Sequence, residues 1–443
     1  MVLADMGRRR SRWTLTLTSV AAGTLLLAGC AGGATAQPGS DTTGDAPEAA
    51  QLGEILGVEG GEAAGEGVEW TLGAALPLSG PGAPEGKEMR QAIELAIEQI
   101  EASGGPSISL SAKDIKNPDP VAAKQAATEL AEEGVAGKIS TYGDALGAMI
   151  EDTIASKMLT LDGVGGAQPH LIGTPYYYGT TAVAPADVLP GAMEWLKESE
   201  SGAKTVGLVG WELGPLNDPI RADFSAKVEE AGLEFNGLWE TVSPMTQDFA
   251  SLITKIKANQ PDVIFIGMGA QAPGAFTSQA VAAGIDSTLI GIEFTKTALD
   301  ASKGSFDAGA YHFAMNYFDA TNPTNPLAEY FVETYSAKYP DSPEPSFYAA
   351  NAYENTLAFW QFLRGTIEAG GDVTSGDDLV AALEANPDLP SLYGGDDSTV
   401  GVTTINLETH GVASRAMGVY QWKDGSAHAL ATFDIDAADF ELK

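Results

Sequence analysis

Few residues in this chain could carry covalent or redox chemistry, and none sit at a spacing that lets them act together. The four histidines, His170, His312, His410 and His428, are scattered, with no i, i+4 pair. A zinc site or cysteine–histidine catalysis needs its members at short, fixed spacings or in matched pairs. The single cysteine, Cys30, allows neither, and it allows no disulfide within the chain. No G-x-S-x-G, P-loop or H-E-x-x-H run occurs. Gly267-Met268-Gly269 with Gly274 comes nearest to a dinucleotide fingerprint, but the third glycine is displaced and the helix start differs. With 60 Asp and Glu against 24 Lys and Arg, a pair of carboxylates carries no weight by itself. The expectation is a protein that is not an enzyme and uses no metal and no cofactor. What remains is non-covalent recognition by polar and aromatic residues placed just past apolar runs. These are Ser140, Thr141 and Tyr142, then Asp162 and Gly163, Trp211 and Glu212, Gln271, and Glu293 with Phe294.

The elements that would carry those residues alternate between strand and helix. Apolar runs at Glu69–Leu76, Ser107–Ala112, Val135–Ser140 and Met158–Asp162 read as strands. Between them, Glu85–Ala102 places Met89, Ile93, Ala96, Ile97 and Ile100 on one helical face, and Ser103-Gly104-Gly105-Pro106 ends it. Pro118–Glu133 reads as a second helix. The logic repeats with strands at Thr205–Gly210, Glu234–Thr241, Asp262–Met268 and Thr288–Gly291, separated by helices at Asp218–Ala231, Asp248–Asn259 and Pro273–Ala283. Asp262–Met268 is apolar without alternation, as a parallel strand covered on both faces should be. Helices follow at Pro326–Tyr339, Ser346–Ala369 and near Ser375–Ala385, then strands near Met417–Trp422 and Ala429–Phe433. Strands separated by helices of this length predict open parallel α/β sheets, and the length predicts two lobes. In such sheets ligands sit beyond the carboxyl ends of the strands. Asp114 and Lys116 fall in a polar loop to which the pattern assigns no role.

The first 29 residues read as an export signal. Arg8, Arg9, Arg10 and Arg12 form a basic start, and Trp13–Ala28 carries no charge and is short for a membrane span. The paired arginines fit general secretion or twin-arginine export. Leu27-Ala28-Gly29-Cys30 resembles a bacterial lipobox, which implies cleavage before Cys30 and a lipid on its sulfur. Residues 31–67 lack aromatics and are rich in Ala, Gly, Thr, Pro and acids, so 30–67 reads as a lipidated cysteine and flexible tether. A formal net charge of −36 repels nucleic acid and anionic membrane surfaces, so no nucleic-acid partner is expected.

Three runs together resemble one family. Leu72-Gly73-Ala74-Ala75-Leu76-Pro77-Leu78-Ser79-Gly80 precedes a helix ending in Ser103-Gly104-Gly105. Gln247–Lys257 leads into Pro261-Asp262-Val263-Ile264-Phe265, and Tyr348-Ala349-Ala350-Asn351-Ala352-Tyr353-Glu354 lies late in the chain. From Val68 to Phe433 the sequence resembles leucine/isoleucine/valine-type periplasmic binding proteins of ABC importers. The resemblance implies a type I fold of two lobes, each a mainly parallel sheet flanked by helices, joined by three crossovers. It places lobe 1 at 68–185 plus about 318–393, and lobe 2 at about 186–317 plus 394–443.

The family holds an amino acid by its charged groups, which gives the strand-end residues roles. Ser140 or Thr141 would donate to a carboxylate and Tyr142 would stack or donate, unless Ser and Thr simply cap the next helix. The second slot, Asp162-Gly163-Val164-Gly165-Gly166, has no hydroxyl, and an anionic Asp162 suits a cationic or hydroxylated solute better than a carboxylate. Glu293 occupies the ammonium-binding position. Trp211 would wall the cleft or bind a cation by its π face, with Glu212 beside it and Gln271 at the cleft edge. Tyr178, Thr181, Asp187 and Tyr348 are weaker candidates. The implied function is capture of an amino acid or similar small polar solute outside the cell and delivery to an ABC permease, with the Cys30 lipid holding the protein on the outer face of the membrane. The rivals are a ligand-sensing receptor domain signalling to a membrane partner and, less favoured for want of catalytic motifs, an extracellular hydrolase.

Overall fold

In a computed structural model the described residues are 48–141, 143–163, 173–181, 185–199, 201–214 and 217–443. They lie in the unit Ala46–Lys443. The export signal, Cys30 and residues 31–47 lie outside the described residues. The remainder of the expected tether is folded, which corrects the sequence reading of 30–67. Gln51–Leu56 forms a helix (α1) and Glu62–Ala64 a 3-10 turn. Leu52 and Ala64 are buried. The Tyr330 hydroxyl donates to the Glu48 and Ala49 carbonyls, and the Trp360 indole donates to the Ala64 carbonyl at 2.8 Å. Averaged over 31–67 the composition is too polar to fold. Its last twenty residues concentrate Leu52, Ile55, Leu56 and Val58, enough to cover a neighbouring apolar face.

The first sheet builds outward from Glu69–Leu76 (β1). After it come Ala83–Ala102 (α2), Ser107–Asp114 (β2), Pro120–Glu132 (α3), Gly137–Ser140 (β3), Gly143–Ser156 (α4), Leu159–Asp162 (β4) and Tyr177–Gly179 (β5). The strands run in the order β2-β1-β3-β4-β5, all parallel. Alternation along β1 sends Leu72, Ala74 and Leu76 into the core shared with α2, and Ala75 into the smaller core of Ala123, Ala126, Ala127 and Met149 under α3 and α4.

The second sheet follows the same plan. Its elements are Pro185–Glu198 (α5), Thr205–Trp211 (β6), Asn217–Glu230 (α6), Glu234–Val242 (β7), Ala250–Asn259 (α7), Val263–Gly267 (β8), Ala272–Ala282 (α8), Thr288–Gly291 (β9), Lys296–Ala301 (α9) and Tyr311–Met315 (β10). The parallel part has the order β7-β6-β8-β9-β10. β8 is covered on both faces, as its unbroken apolar run implies. Val263 and Phe265 pack in the core with Val188, Leu189 and Phe224 of α5 and α6, while Ile264 and Ile266 pack in the one with Ile253, Ile256 and Phe276 of α7 and α8.

The chain then returns with Pro326–Lys338 (α10), Phe347–Glu368 (α11) and Gly376–Ala385 (α12). α11 is buried around most of its circumference, because α2, α10, α12 and the first sheet enclose it. Asp388–Asp396 (β11), Thr399–Ile405 (β12) and Val412–Ser414 (β13) make a separate antiparallel sheet against α10 and α11. The sequence reading puts a lobe boundary at 393–394, inside β11. The observed pairing of β11 with β12 keeps that stretch in one piece and places the passage to the second sheet after β12. Met417–Lys423 (β14), Ser426–Phe433 (β15) and Glu441–Leu442 (β16) then extend the second sheet antiparallel from β10. Three passages therefore join the two lobes, after β5, after β10 and between β12 and β14.

Candidate functional site

Parallel strands aim their carboxyl ends at one edge of each sheet, and the candidate residues lie there. Ser140 is the last residue of β3 and Thr141 the next. Both are fully buried, and neither side-chain oxygen has a hydrogen-bond partner. A buried hydroxyl without a partner costs about 1–3 kcal/mol, so two adjacent ones mark a place shaped for something else to bond. α4 starts at Gly143, and a helix start presents free backbone N–H groups to an anion. Tyr142 lies outside the described residues. In the neighbouring strand Asp162 pairs in register with Ser140. Its side chain accepts from the Tyr177 hydroxyl at 2.5 Å, and its carbonyl accepts from the Thr180 N–H and hydroxyl. The Gly163 carbonyl accepts from the Asn351 amide of α11 at 2.8 Å.

The second lobe contributes an acid. Glu293 lies two residues past β9 and is almost wholly buried. Its Oε1 accepts from the Ala270 N–H at 2.8 Å and from the Tyr348 hydroxyl at 3.0 Å, and its own carbonyl accepts from the Tyr311 hydroxyl. A Cβ at Gly269 would come within 2.7 Å of Glu293 Oε2, so any larger residue there would displace the carboxyl. Burial pushes the Glu293 carboxyl up to about 8. The bonds from Ala270 and Tyr348 oppose the rise, and Glu85 adds to it.

Glu85, in the first turn of α2, is the partner that sequence reasoning missed. The Thr297 hydroxyl donates to its Oε1 at 2.7 Å, a direct bond between the two lobes, and its buried Oε2 has no partner. Thr297 touches Thr295, which donates to the Ala270 carbonyl, so Glu85 and Glu293 belong to one polar chain. Burial raises Glu85 as well, against the Thr297 bond. One turn on, burial brings Glu88 up to about 7, opposed by the Ser346 hydroxyl. An acid at a helix start normally signals only dipole complementarity. The available signal was that Glu85 is four residues before Met89, on the buried face of α2.

α11 ties the two edges together. Tyr348 reaches Glu293 and Asn351 reaches Gly163, and residues three apart on a helix share a face. Tyr348, a weak candidate in sequence, therefore touches the acid directly. Thr181 also neighbours Asn351, its hydroxyl 3.4 Å from the amide. Other candidates lie elsewhere. Glu212 is exposed and accepts from Gly214 and Asn217 just after it and from the Thr241 hydroxyl of β7. Gln271 is exposed at the start of α8. Trp211 is half-buried at the end of β6. Phe294 stacks on Phe313 and Trp422, which makes it part of an aromatic core. Tyr178 stacks on His410. The Asp187 side chain lies outside the described residues. Asp114 gains a role: it accepts from the Leu78, Ser79 and Lys116 N–H groups and the Ser79 hydroxyl, and so shapes the turn after β1. Burial works to raise its carboxyl, but these bonds outweigh it and leave it below the usual range.

Comparison with known proteins agrees with this fold. A family model described as periplasmic binding protein matches residues 69–427. The Leu/Ile/Val-binding protein homolog 3 of Brucella melitensis is 24% identical over 365 residues, covering 81% of this chain and 93% of that one. A leucine binding protein from Thermotoga maritima superposes with TM-score 0.68 at 19% identity, over 82% of this chain and 98% of its own. A solute binding protein of an ABC transporter from R. palustris, in complex with benzoate, superposes equally well, at 19% identity over 85% and 98%.

Proposed function

This chain belongs to the periplasmic binding protein family, a family of solute-binding proteins and not of enzymes, and from that premise we propose that it captures an amino acid or a related small solute with a cationic group for an ABC importer. The observation that carries the reading is that the two lobes offer complementary groups. One lobe offers two buried, unpartnered hydroxyls at Ser140 and Thr141 beside a helix start. The other offers a buried acid, Glu293, with no basic side chain bonded to it among the described residues. A zwitterion completes both: its carboxylate takes the donors and its ammonium takes the acid. Burial makes each such contact strong, because no water competes for it. Glu85, with its free Oε2, adds a further acceptor for cationic or donor groups. The lipobox at Cys30 supports attachment to the outer face of the membrane, from which a closed, loaded protein would dock on its permease.

Thermal unfolding of the Cys30→Ala chain against amino acids, amines, amides and aromatic carboxylates tests the proposal. A ligand that binds only the folded state adds about 2.7 kcal/mol of stability at a hundred times its dissociation constant. The expected result is a rise with amino acids or amines that Glu293→Ala removes. A rise with benzoate-like acids alone, untouched by that substitution, would overturn the ammonium assignment.

A further inference from the structure

Arg415 lies between β13 and β14, on the third passage between the lobes, and its side chain is only 1% exposed. Its guanidinium reaches every passage. One terminal nitrogen donates to the Thr180 carbonyl on the first passage at 3.0 Å and to the Thr403 hydroxyl of β12 at 2.8 Å. The other donates to Asn351 Oδ1 and Glu354 Oε2 of α11, both at 2.8 Å. Asn316, just past β10 on the second passage, has its side-chain amide 3.1 Å from Nε and from the same terminal nitrogen, and satisfies both when its oxygen is turned toward the guanidinium. The plane of the group lies over the Tyr393 ring, 4.3 Å from its centre. The backbone is fastened too, since the Arg415 N–H and the Ser414 hydroxyl both donate to Asp434 at the end of β15.

The network is nearly saturated. Glu354 also accepts from the Ser391 hydroxyl and the Leu392 N–H, so the buried charges are paired and bonded on both sides. A planar fork of five donors meets these acceptors at once, which a lysine's point-like ammonium does not do. Asn351 extends the network to the candidate site. Its oxygen takes Arg415 and its amide donates to the Gly163 carbonyl, in the loop after β4. Any rotation of one lobe against the other changes the spacing of the three passages, and so must strain or break bonds to this one group.

We propose that Arg415 is a positioning residue that couples the angle between the lobes to the position of Gly163 at the end of β4. It touches no solute. It fixes Asn351, which holds the Gly163 carbonyl, and it sets how freely the passages bend. The proposal does not depend on which solute binds.

The test needs no ligand. In the full Cys30→Ala chain, spin labels at Gln125→Cys on α3 and Glu230→Cys on α6 report the distance between lobes. Arg415→Lys keeps the charge and loses the fork. The expected result is a folded protein with a broadened or shifted distance distribution. Amide exchange around Gly163 should also speed up by about tenfold or more, with β8 amides unchanged. The double substitution Arg415→Met with Glu354→Met removes both charges together, which buried pairs often tolerate without loss of folding, and it should give the same two changes. A lower melting temperature with the parent's distance distribution and Gly163 exchange, in either folded variant, would reduce Arg415 to packing and overturn the proposal.

Discussion

At the residue scale, Glu293 carries a pH dependence whose sign can be worked out. Its carboxyl rises from 4.5 to about 8 in the folded protein. Between those values the unfolded chain releases a proton that the folded one keeps, so the contribution to stability is full below 4.5 and is lost as pH rises through 8. The groups facing it are Glu85 from α2, Tyr348 from α11 and the Tyr311 hydroxyl on its carbonyl. None is basic, so among the described residues no opposite charge favours the ionised form until a cation arrives. Glu293→Gln keeps an acceptor for the Ala270 N–H and removes the titration. Without solute, the variant should be more stable than the parent by on the order of 5 kcal/mol at pH 8.5 and similar to it at pH 4.5, by urea unfolding. Lys138, which burial lowers to about 7, has the opposite sign above that pH, so the comparison is made against the parent at each pH. With a bound ammonium the acid should ionise and release a proton. Calorimetry in buffers of different ionisation enthalpy would detect the release, and the Gln variant should abolish it. Equal pH slopes for parent and variant would show that Glu293 keeps its charge.

At the element scale, docking of residues 48–67 makes a direct prediction. Leu52 is fully buried in the core formed with α2 and α11. Leu52→Ala should cost about 2–4 kcal/mol, as removal of a buried leucine does elsewhere. A free tether predicts no change, and chemical denaturation decides between the two. The same helix shows where sequence legibility stops. β1 and β9 are legible to the residue, because the apolar end of each stops at Pro77 or Gly291. α2, α10 and α11 are legible from apolar spacing and their stops. α4 and α5 are not, since α4 is built largely from small residues and α5 contains Pro190. β11 is hidden by Pro390 and by Gly394 and Gly395, both at positive φ. Its strand character comes from pairing with β12, a tertiary cause that no local pattern records. The site divides in the same way. The strand-end positions of Ser140, Asp162 and Glu293 follow from topology and from the family resemblance. Glu85, Asn351 and Arg415 sit on helices or passages: Glu85 meets Glu293 through Thr297 and Thr295, and Arg415 reaches Gly163 through Asn351 of α11.

At the scale of the whole molecule, charge is the dominant fact. The chain has 60 acidic residues and 24 basic ones, so most acids have no cationic partner. Exposed pairs such as Lys157–Asp377 and Lys113–Glu133 offset little of that repulsion. Salt shortens the reach of exposed charges to about 10 Å at 0.1 M and 3 Å at 1 M. Added salt should therefore relieve self-repulsion in the folded state and raise the melting temperature. The enclosed pair Arg415–Glu354 is out of reach of that screening, with side chains 1% and 7% exposed. The two effects separate in one experiment. Calorimetric melting of the parent and of the Arg415→Met, Glu354→Met protein, from low salt to about 1 M NaCl, should show both rising together. The gap between them should stay constant. A gap that closes with salt would mean that solvent and ions reach the three passages. The lobes would then be joined by a wet and loose hinge instead of one sealed around a single guanidinium.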